Sequence, residues 1–395
     1  MDSPFAHELR VAFAALERAA KISQAVMARS DKGTVSKEDL SPVTVADFAV
    51  QALLTATFHA TFPGDGFVGE ESSAKLRESP ALLQRVWDVL VETAGAASSS
   101  SLCAIPESKE QMCDMIDWCC TGAGSGGDGE GEKSDDGSGF SGARRSRKSR
   151  RTWVFDPIDG TANFVCGELY AINIALLKDY SPHGPGGKQV QVLGVVACPN
   201  LAVGTQAPVT NSSVDPDGAG CIVFAARGYG TYVRSLFPRQ GEGSEPAIQR
   251  VPLIAQTEVV DKATVASSSG LDEVHDAAMA RLGLSARRPD DSDVYPWVVQ
   301  YVVLGLGLAD VMFWAYADRK QLAKIWDHAG AMLLYEEVGG KITDFDGLDI
   351  NLTEVGGRTL AANYGIVAAP RHLHHQVLQA VQDAMREKRP DLVMD

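Results

Sequence analysis

"WVFDPIDGTANF", residues 153–164, sets two aspartates three positions apart around Pro157-Ile158 and follows them at once with Gly160-Thr161. Carboxylates this close repel each other unless a cation lies between them. Pro157 stiffens the turn, so Asp156, Asp159 and the Ile158 carbonyl can aim at one point. Gly160 lets backbone approach a ligand closely. A short helix starting at Thr161 would leave N–H groups free to receive a phosphate, and the Thr161 hydroxyl could orient a water molecule.

Outward from this turn, other acids fall at the ends of expected elements. Asp47 lies near the start of a helix expected over about 44–62, which Pro63-Gly64 stops. Glu70 and Glu71 close a short strand in "GFVGEES" (66–72), and Asp327 follows Ile325-Trp326 at the start of a helix expected over 327–340. Hard oxygen donors of this kind suit Mg²⁺ or Mn²⁺ better than zinc. Together the parts describe metal-assisted hydrolysis of a phosphate ester. Taken singly each is weak, because an acid at a helix start is ordinarily a cap or dipole partner.

The chain has 395 residues, which favours two domains or one domain with insertions; the division read here is 1–252 and 253–395. Residues 5–28 read as an amphipathic helix with Leu9, Phe13, Leu16 and Ala20 on one face, and a third helix is expected over 80–93. Strands are expected at 153–156, 170–178, 190–197, 220–226 and 229–234. Residues 239–247 read as a linker. Beyond it, "ATVASSS" (263–269) and "VLGLGLADVMFW" (303–314) read as strands of an α/β second domain. The Gly/Ser/acid-rich stretch 121–143 is expected to be a disordered insertion, about 121–150 with its basic end. That end, "RRSRKSRR" (144–151), reads as a nuclear-import signal, an anion patch or a solvated loop end.

Net charge is −15, which argues against general nucleic-acid binding. Seven cysteines without a Cys-x-x-Cys pair read as thiols of a reducing compartment, and no zinc-ligand spacing occurs. The acidic start MDSPFAHELR lacks the apolar run of a signal peptide. Tyr295–Ala317 is apolar but carries Gln300 and Asp310, so a buried element is expected there rather than a membrane span. The expected protein is cytoplasmic, with the nucleus as a second destination if the basic tract is read there, and its oligomeric state is left open.

"DPIDGT", the upstream "VGEES" and the downstream "WDHAGAMLLYEEVGG" together resemble the lithium-sensitive, Mg²⁺-dependent phosphomonoesterases of the inositol monophosphatase superfamily. "SPVTVADFAVQ", "FPGDGFVGEESS", "PESKEQMCDMIDW", "LGVVACPNL" and "LGLADV" are most similar to its 3′(2′),5′-bisphosphate nucleotidase branch. The likeness covers roughly residues 5–385, apart from the low-complexity stretch. It implies a layered αβαβα, sugar-phosphatase-like fold that combines an α+β with an α/β domain. It implies that Glu70, Asp156, Asp159, Asp327 and the Ile158 carbonyl hold about two or three Mg²⁺ ions. Asp47 and Thr161 would take a proton from the attacking water, and the Gly160 and Thr161 amides would hold the phosphate. Water would attack in line, without a phosphoenzyme.

The substrate side departs from that branch. Tyr295–Gln300 stands where a Ser and a Lys are expected, with Gln300 in place of the Lys. Trp314 falls near an expected Arg. A His-Ser-Ser-His stretch is replaced by "SSSGLDEVH", with Ser268 inside it and His275 displaced. Ala162-Asn163-Phe164 replaces Lys-Gly-Phe and is closer to the inositol branch. Trp297 and Trp314 are candidates to stack on a base or pack a sugar ring. Three readings follow: a phosphatase of adenosine 3′,5′-bisphosphate, a phosphatase of inositol monophosphate or another small polyol phosphate, and a catalytically silent scaffold that recruits partners. The intact acids count against the third.

Overall fold

The computed structural model describes residues 3–29, 31–36, 42–95, 102–120, 151–180, 188–238, 246–254, 259–267, 273–284, 291–315, 323–352, 359–360 and 365–393. Expectations for residues 121–150, for Ser268 and for most of the linker at 239–247 lie outside them. Of the basic tract only Arg151 is described; it pairs with Glu8 and Asp65.

The chain begins with α1 (Ala6–Met27), a short pair β1 (Val35–Ser36) and β2 (Pro42–Val43), and α2 (Val45–Thr61). β3 (Gly66–Gly69), α3 (Ala74–Glu78), α4 (Pro80–Gly95) and α5 (Lys109–Trp118) follow. Next come β4 (Arg151–Asp159), α6 (Thr161–Cys166), β5 (Ala171–Tyr180), β6 (Lys188–Cys198), β7 (Cys221–Ala226), β8 (Gly230–Ser235) and β9 (Gln249–Arg250). The remainder holds β10 (Ala266–Ser267), α7 (Glu273–Arg281), β11 (Ser292–Asp293), α8 (Trp297–Gly305), β12 (Met312–Ala315), α9 (Ile325–His328), α10 (Ala331–Glu336), β13 (Gly340–Asp344), β14 (Gly365–Pro370) and α11 (His374–Lys388).

Strands β3 to β9 form one sheet in sequence order. Only the β3–β4 pair is parallel; the other neighbours run antiparallel. Alternating residues of this sheet feed two cores. Trp153, Phe155, Ile172 and Ile174 pack beneath α1 and α2. Val154, Ala171 and Ala175 face the layer of α8, α9 and α10. The second sheet has the order β12-β14-β13 and is antiparallel. One of its faces joins the α8–α10 core through Ile342, Ile366 and Ala368; the other packs Phe313 and Val367 against α7 and α11. The stack is therefore helix, sheet, helix, sheet, helix, as the αβαβα expectation states.

Packing ties the first helical layer to the sheet that carries the acids. Trp153 is fully buried, with its ring 4.4 Å from that of Phe58 and 5.4 Å from that of Phe62. Its indole N–H donates to Asp65 Oδ2 at 2.8 Å. Emptying a site of this kind typically costs about 3–5 kcal/mol, so α2 and β4 are held in a fixed relation.

Three expectations are corrected. The apolar run expected as a strand over 303–314 starts inside helix α8 and reaches strand only at Met312. Every residue from Val298 to Gly305 is buried, so no periodicity separated helix from strand. The helix expected over 327–340 is instead α9 and α10, parted at Ala329-Gly330. The second sheet is antiparallel rather than an alternating α/β sheet; the β10–β11 pair is parallel. All seven cysteines are free thiols.

Candidate active site

The N-terminus of α2 places the first carboxylate. Thr44 caps the helix, and Asp47 Oδ2 accepts from the Thr44 N–H at 2.8 Å and from its hydroxyl at 2.6 Å. Asp47 is thus the helix cap that sequence alone already allows, but its second oxygen is turned elsewhere. Oδ1 accepts from the Thr161 hydroxyl at 3.2 Å, and the same hydroxyl lies 3.2 Å from the Ile158 carbonyl. One turn further along α2, Gln51 clasps the segment after β3. Its Oε1 accepts from the Glu71 N–H at 2.8 Å, and its Nε2 donates to the Glu71 carbonyl at 2.7 Å and the Ile116 carbonyl at 3.2 Å. The clasp fixes the backbone of Glu71, next to Glu70; the Glu70 carboxylate is not among the three that converge below and reaches Asp159 through its charge.

The Asp-Pro-Ile-Asp segment continues β4 rather than leaving it as a free turn. Asp156 pairs with Asn173 and Asp159 with Ala171, with a bulge between them. The bulge is closed by an Ile158 N–H bond to Asp156 Oδ1 at 3.1 Å. Gly160 then adopts a left-handed conformation, φ +81°, and opens α6. A Cβ there would lie 2.4 Å from Pro296 Cγ, so both backbone and space demand glycine. Pro296 in turn precedes α8, whose Val298 N–H donates to Asp159 Oδ2 at 2.9 Å.

Asp327 arrives from the second half of the chain on α9, a single turn. That turn lies flush on the first sheet. Asn173 on β5 donates its Nδ2 to the Trp326 carbonyl at 2.6 Å. A Cβ on Gly330 would meet Asn173 Oδ1 at 2.1 Å, and one on Gly194 would meet the Gly330 carbonyl oxygen at 2.1 Å. One carboxylate oxygen each from Asp156, Asp159 and Asp327 then falls within 4.8 Å of the others. Asp156 and Asp159 are buried. Burial, then the negative charge of Asp327, push the Asp159 carboxyl well above the ordinary aspartate range, and Glu70 adds to this. Two backbone N–H groups of α8 offset part of it. Buried, converging, all-oxygen donors that repel one another fit a hard divalent cation, which would relieve that repulsion.

Trp297 and Trp314 come together beside these acids, ring centroids 4.5 Å apart. Behind them His328 stacks on Trp314 at 5.7 Å and takes a 3.1 Å hydrogen bond with the Tyr301 hydroxyl. Burial pushes the His328 imidazole down to about 3, so the ring is neutral. Gln300 does not join this wall. It is 1% exposed inside α8, with its amide on the Tyr295 carbonyl at 3.3 Å, so a ligand cannot reach it without α8 moving. His275 lies in another layer, stacked on Phe313 at 4.5 Å. Gln51, Asn173, Tyr301 and His328 shape the site without a sequence signature of their own beyond the neighbouring Glu-Glu and Trp-Asp-His motifs.

The layered αβαβα fold and the acid cluster, taken with the relatives below, place the chain among phosphatases, hydrolases of phosphoric monoesters. The sequence profile of the inositol monophosphatase family matches residues 125–386, and the chain belongs to that family. It is 32% identical to a 3′(2′),5′-bisphosphate nucleotidase of Emericella nidulans, over 97% of this chain and 99% of that one. It is 30% identical to the protein of that name from Schizosaccharomyces pombe, with 98% of each chain covered. Among solved structures it resembles the IMPase of Thermotoga maritima, with a TM-score of 0.54 at 16% identity over 96% of this chain and 99% of the other.

Proposed function

We propose that this protein hydrolyses the 3′-phosphate of adenosine 3′,5′-bisphosphate to give AMP and inorganic phosphate. The observation that carries the reading is the convergence of Asp156, Asp159 and Asp327 beside the Asp47–Thr161 pair. Near full-length relatives that carry the bisphosphate nucleotidase name support the choice of ester.

In this reading Glu70, Asp156, Asp159, Asp327 and the Ile158 carbonyl hold Mg²⁺. Mg²⁺ held there would supply Lewis-acid polarisation of the phosphoryl group and a more acidic water. With the Ile158 carbonyl turned to the metal, the Thr161 hydroxyl would donate to Asp47 Oδ1, leaving an Oγ1 lone pair for the proton of that water. Asp47 is fully buried and anchored by Thr44, so its carboxylate can take the Thr161 proton without moving as Thr161 takes the proton of the water. The Gly160 and Thr161 amides at the start of α6 receive the phosphate. Trp297 and Trp314 form the wall for the base or sugar; Gln300 is sealed inside α8, and a substrate contact from Ser268 belongs to the proposal. The division at residue 252 belongs to this reading, since β9 ends the first sheet at Arg250 and the acid from the second part is Asp327.

An inositol or other polyol phosphate is the second reading. It is favoured by the burial of Gln300, whose amide is spent on the Tyr295 carbonyl rather than turned to a second phosphate. No described helix is long and apolar enough to cross a membrane; cytoplasmic placement belongs to the proposal. The test is phosphate release from adenosine 3′,5′-bisphosphate and inositol 1-phosphate in parallel, with Mg²⁺, with and without lithium. Turnover of the nucleotide is expected. Turnover of the inositol ester alone moves the chain to the second reading, and no turnover of either leaves a scaffold.

A further inference from the structure

We propose that Asn173 is a positioning residue that sets Asp327 in the metal site; the inference rests on the metal-assisted phosphatase reading above. Asn173 stands directly opposite Asp156 in the β4–β5 ladder, so the two side chains leave the sheet on the same face. That face looks toward α9. Asn173 is 1% exposed and crosses the gap between layers with a 2.6 Å bond to the carbonyl of Trp326, the residue before Asp327.

The recipient is a helix of four residues. A single turn is too short to hold its own orientation, because nucleation costs more than one hydrogen bond returns. Its placement therefore comes from what it rests on. The carbonyl held by Asn173 is one support, and the contact of Gly330 with Asn173 Oδ1 and the Ile174 carbonyl is another. Without the amide, the Trp326 carbonyl loses the bond that ties it to the sheet, and the turn can rotate. Asp327 rotates with it, away from Asp156 and Asp159. Partners that orient metal ligands typically change metal affinity about 10–100-fold when removed.

The test is Mn²⁺ binding to chelator-stripped protein, followed by electron paramagnetic resonance of the free ion. Asn173→Ala is expected to raise the Mn²⁺ dissociation constant at least about 10-fold. Thr231→Val is the matched control: Thr231 is equally buried and bonds the Leu334 carbonyl at 2.7 Å, also between sheet and helix. It is expected to lower the melting temperature while leaving Mn²⁺ affinity unchanged. If both variants weaken Mn²⁺ alike, or if Asn173→Ala leaves affinity unchanged, the positioning role is overturned. If Asn173→Ala does not fold, Asn173→Ser is read by the same criteria. Wild-type protein that binds no Mn²⁺ would overturn the phosphatase reading itself, which is a distinct outcome.

Discussion

The Thr161 hydroxyl stands 3.2 Å from Asp47 Oδ1, although the two residues lie 114 positions apart in the chain. A helix cap and the first turn of a six-residue helix meet there. Residues that pass one proton between them act as a unit, so their losses do not add. Asp47→Asn and Thr161→Ala are each expected to lower kcat by about 10²–10⁴-fold with little change in KM. The double variant is expected to be no slower than the worse single one. Steady-state kinetics of the three proteins checks this, and multiplicative losses would mean that the pair works separately.

Asp159→Asn separates function from stability. In metal-free protein the substitution removes one of three mutually repelling carboxylates. The stripped variant is expected to melt higher than stripped wild type, by about 2 °C for roughly 1 kcal/mol. Mg²⁺ should then raise the melting temperature of wild type and hardly that of the variant, which should also be inactive. Calorimetry with and without Mg²⁺ gives the comparison; equal Mg²⁺ stabilisation of both proteins would remove Asp159 from the ligand set.

Gly160→Ala meets two obstacles at once, the positive φ and the Pro296 ring. The left-handed conformation alone costs about 1–2 kcal/mol. A lower melting temperature is expected together with a fall in kcat of about 10-fold or more, because Pro296 leads directly into the α8 amide that holds Asp159. Unchanged activity in a folded variant would show that the α6 entrance does not serve the phosphate.

Trp314→Ala reports on the substrate. Stacking of a base on an aromatic ring is typically worth about 1–3 kcal/mol, or roughly 5–150-fold in affinity. KM for adenosine 3′,5′-bisphosphate is expected to rise within that range, and KM for inositol 1-phosphate much less. Equal effects on the two esters would assign the ring to core packing on His328 alone.

His374 makes stability depend on pH. Burial, followed by the charge of Lys341, pushes its imidazole from 6.5 down to about 4, with His375 and Arg371 adding to the effect. Nε2 lies 3.1 Å from the Thr343 hydroxyl. A depressed pKa means that the neutral ring stabilises fully above about 6.5 and that this contribution is lost as pH falls toward 4. The loss can reach about 1.4 kcal/mol per pH unit. Between pH 7 and 5, wild type is expected to lose more melting temperature than His374→Gln. Parallel falls in thermal melts would contradict the assignment.

Sequence made the Asp156–Thr161 segment legible as a site, though not as the bulged end of β4, because its constraints are local: a proline, a glycine and a cap act within a few residues. Asp47 was legible for the same reason, through Thr44. Helix α8 was not, because a run buried on every side carries no period. Asn173 had no signature at all. It sits in an otherwise apolar strand, AINIALLKDY, and its purpose is visible only once Trp326 is seen against it. Gln300 was misjudged for the converse reason: it looked like a substituted cation, but the fold seals it inside α8.

The flush seating of Gly330 against Gly194 and Asn173 has a bearing on when activity can begin. A nascent chain emerging from the ribosome carries Asp47, Glu70, Asp156 and Asp159 long before Asp327 exists. Those early carboxylates cannot form the complete catalytic centre until the last third of the polypeptide has been made and has settled onto strands completed earlier. On the proposed reading, hydrolysis would switch on late in biogenesis, and a truncated product lacking Asp327 is expected to be inert rather than partly active.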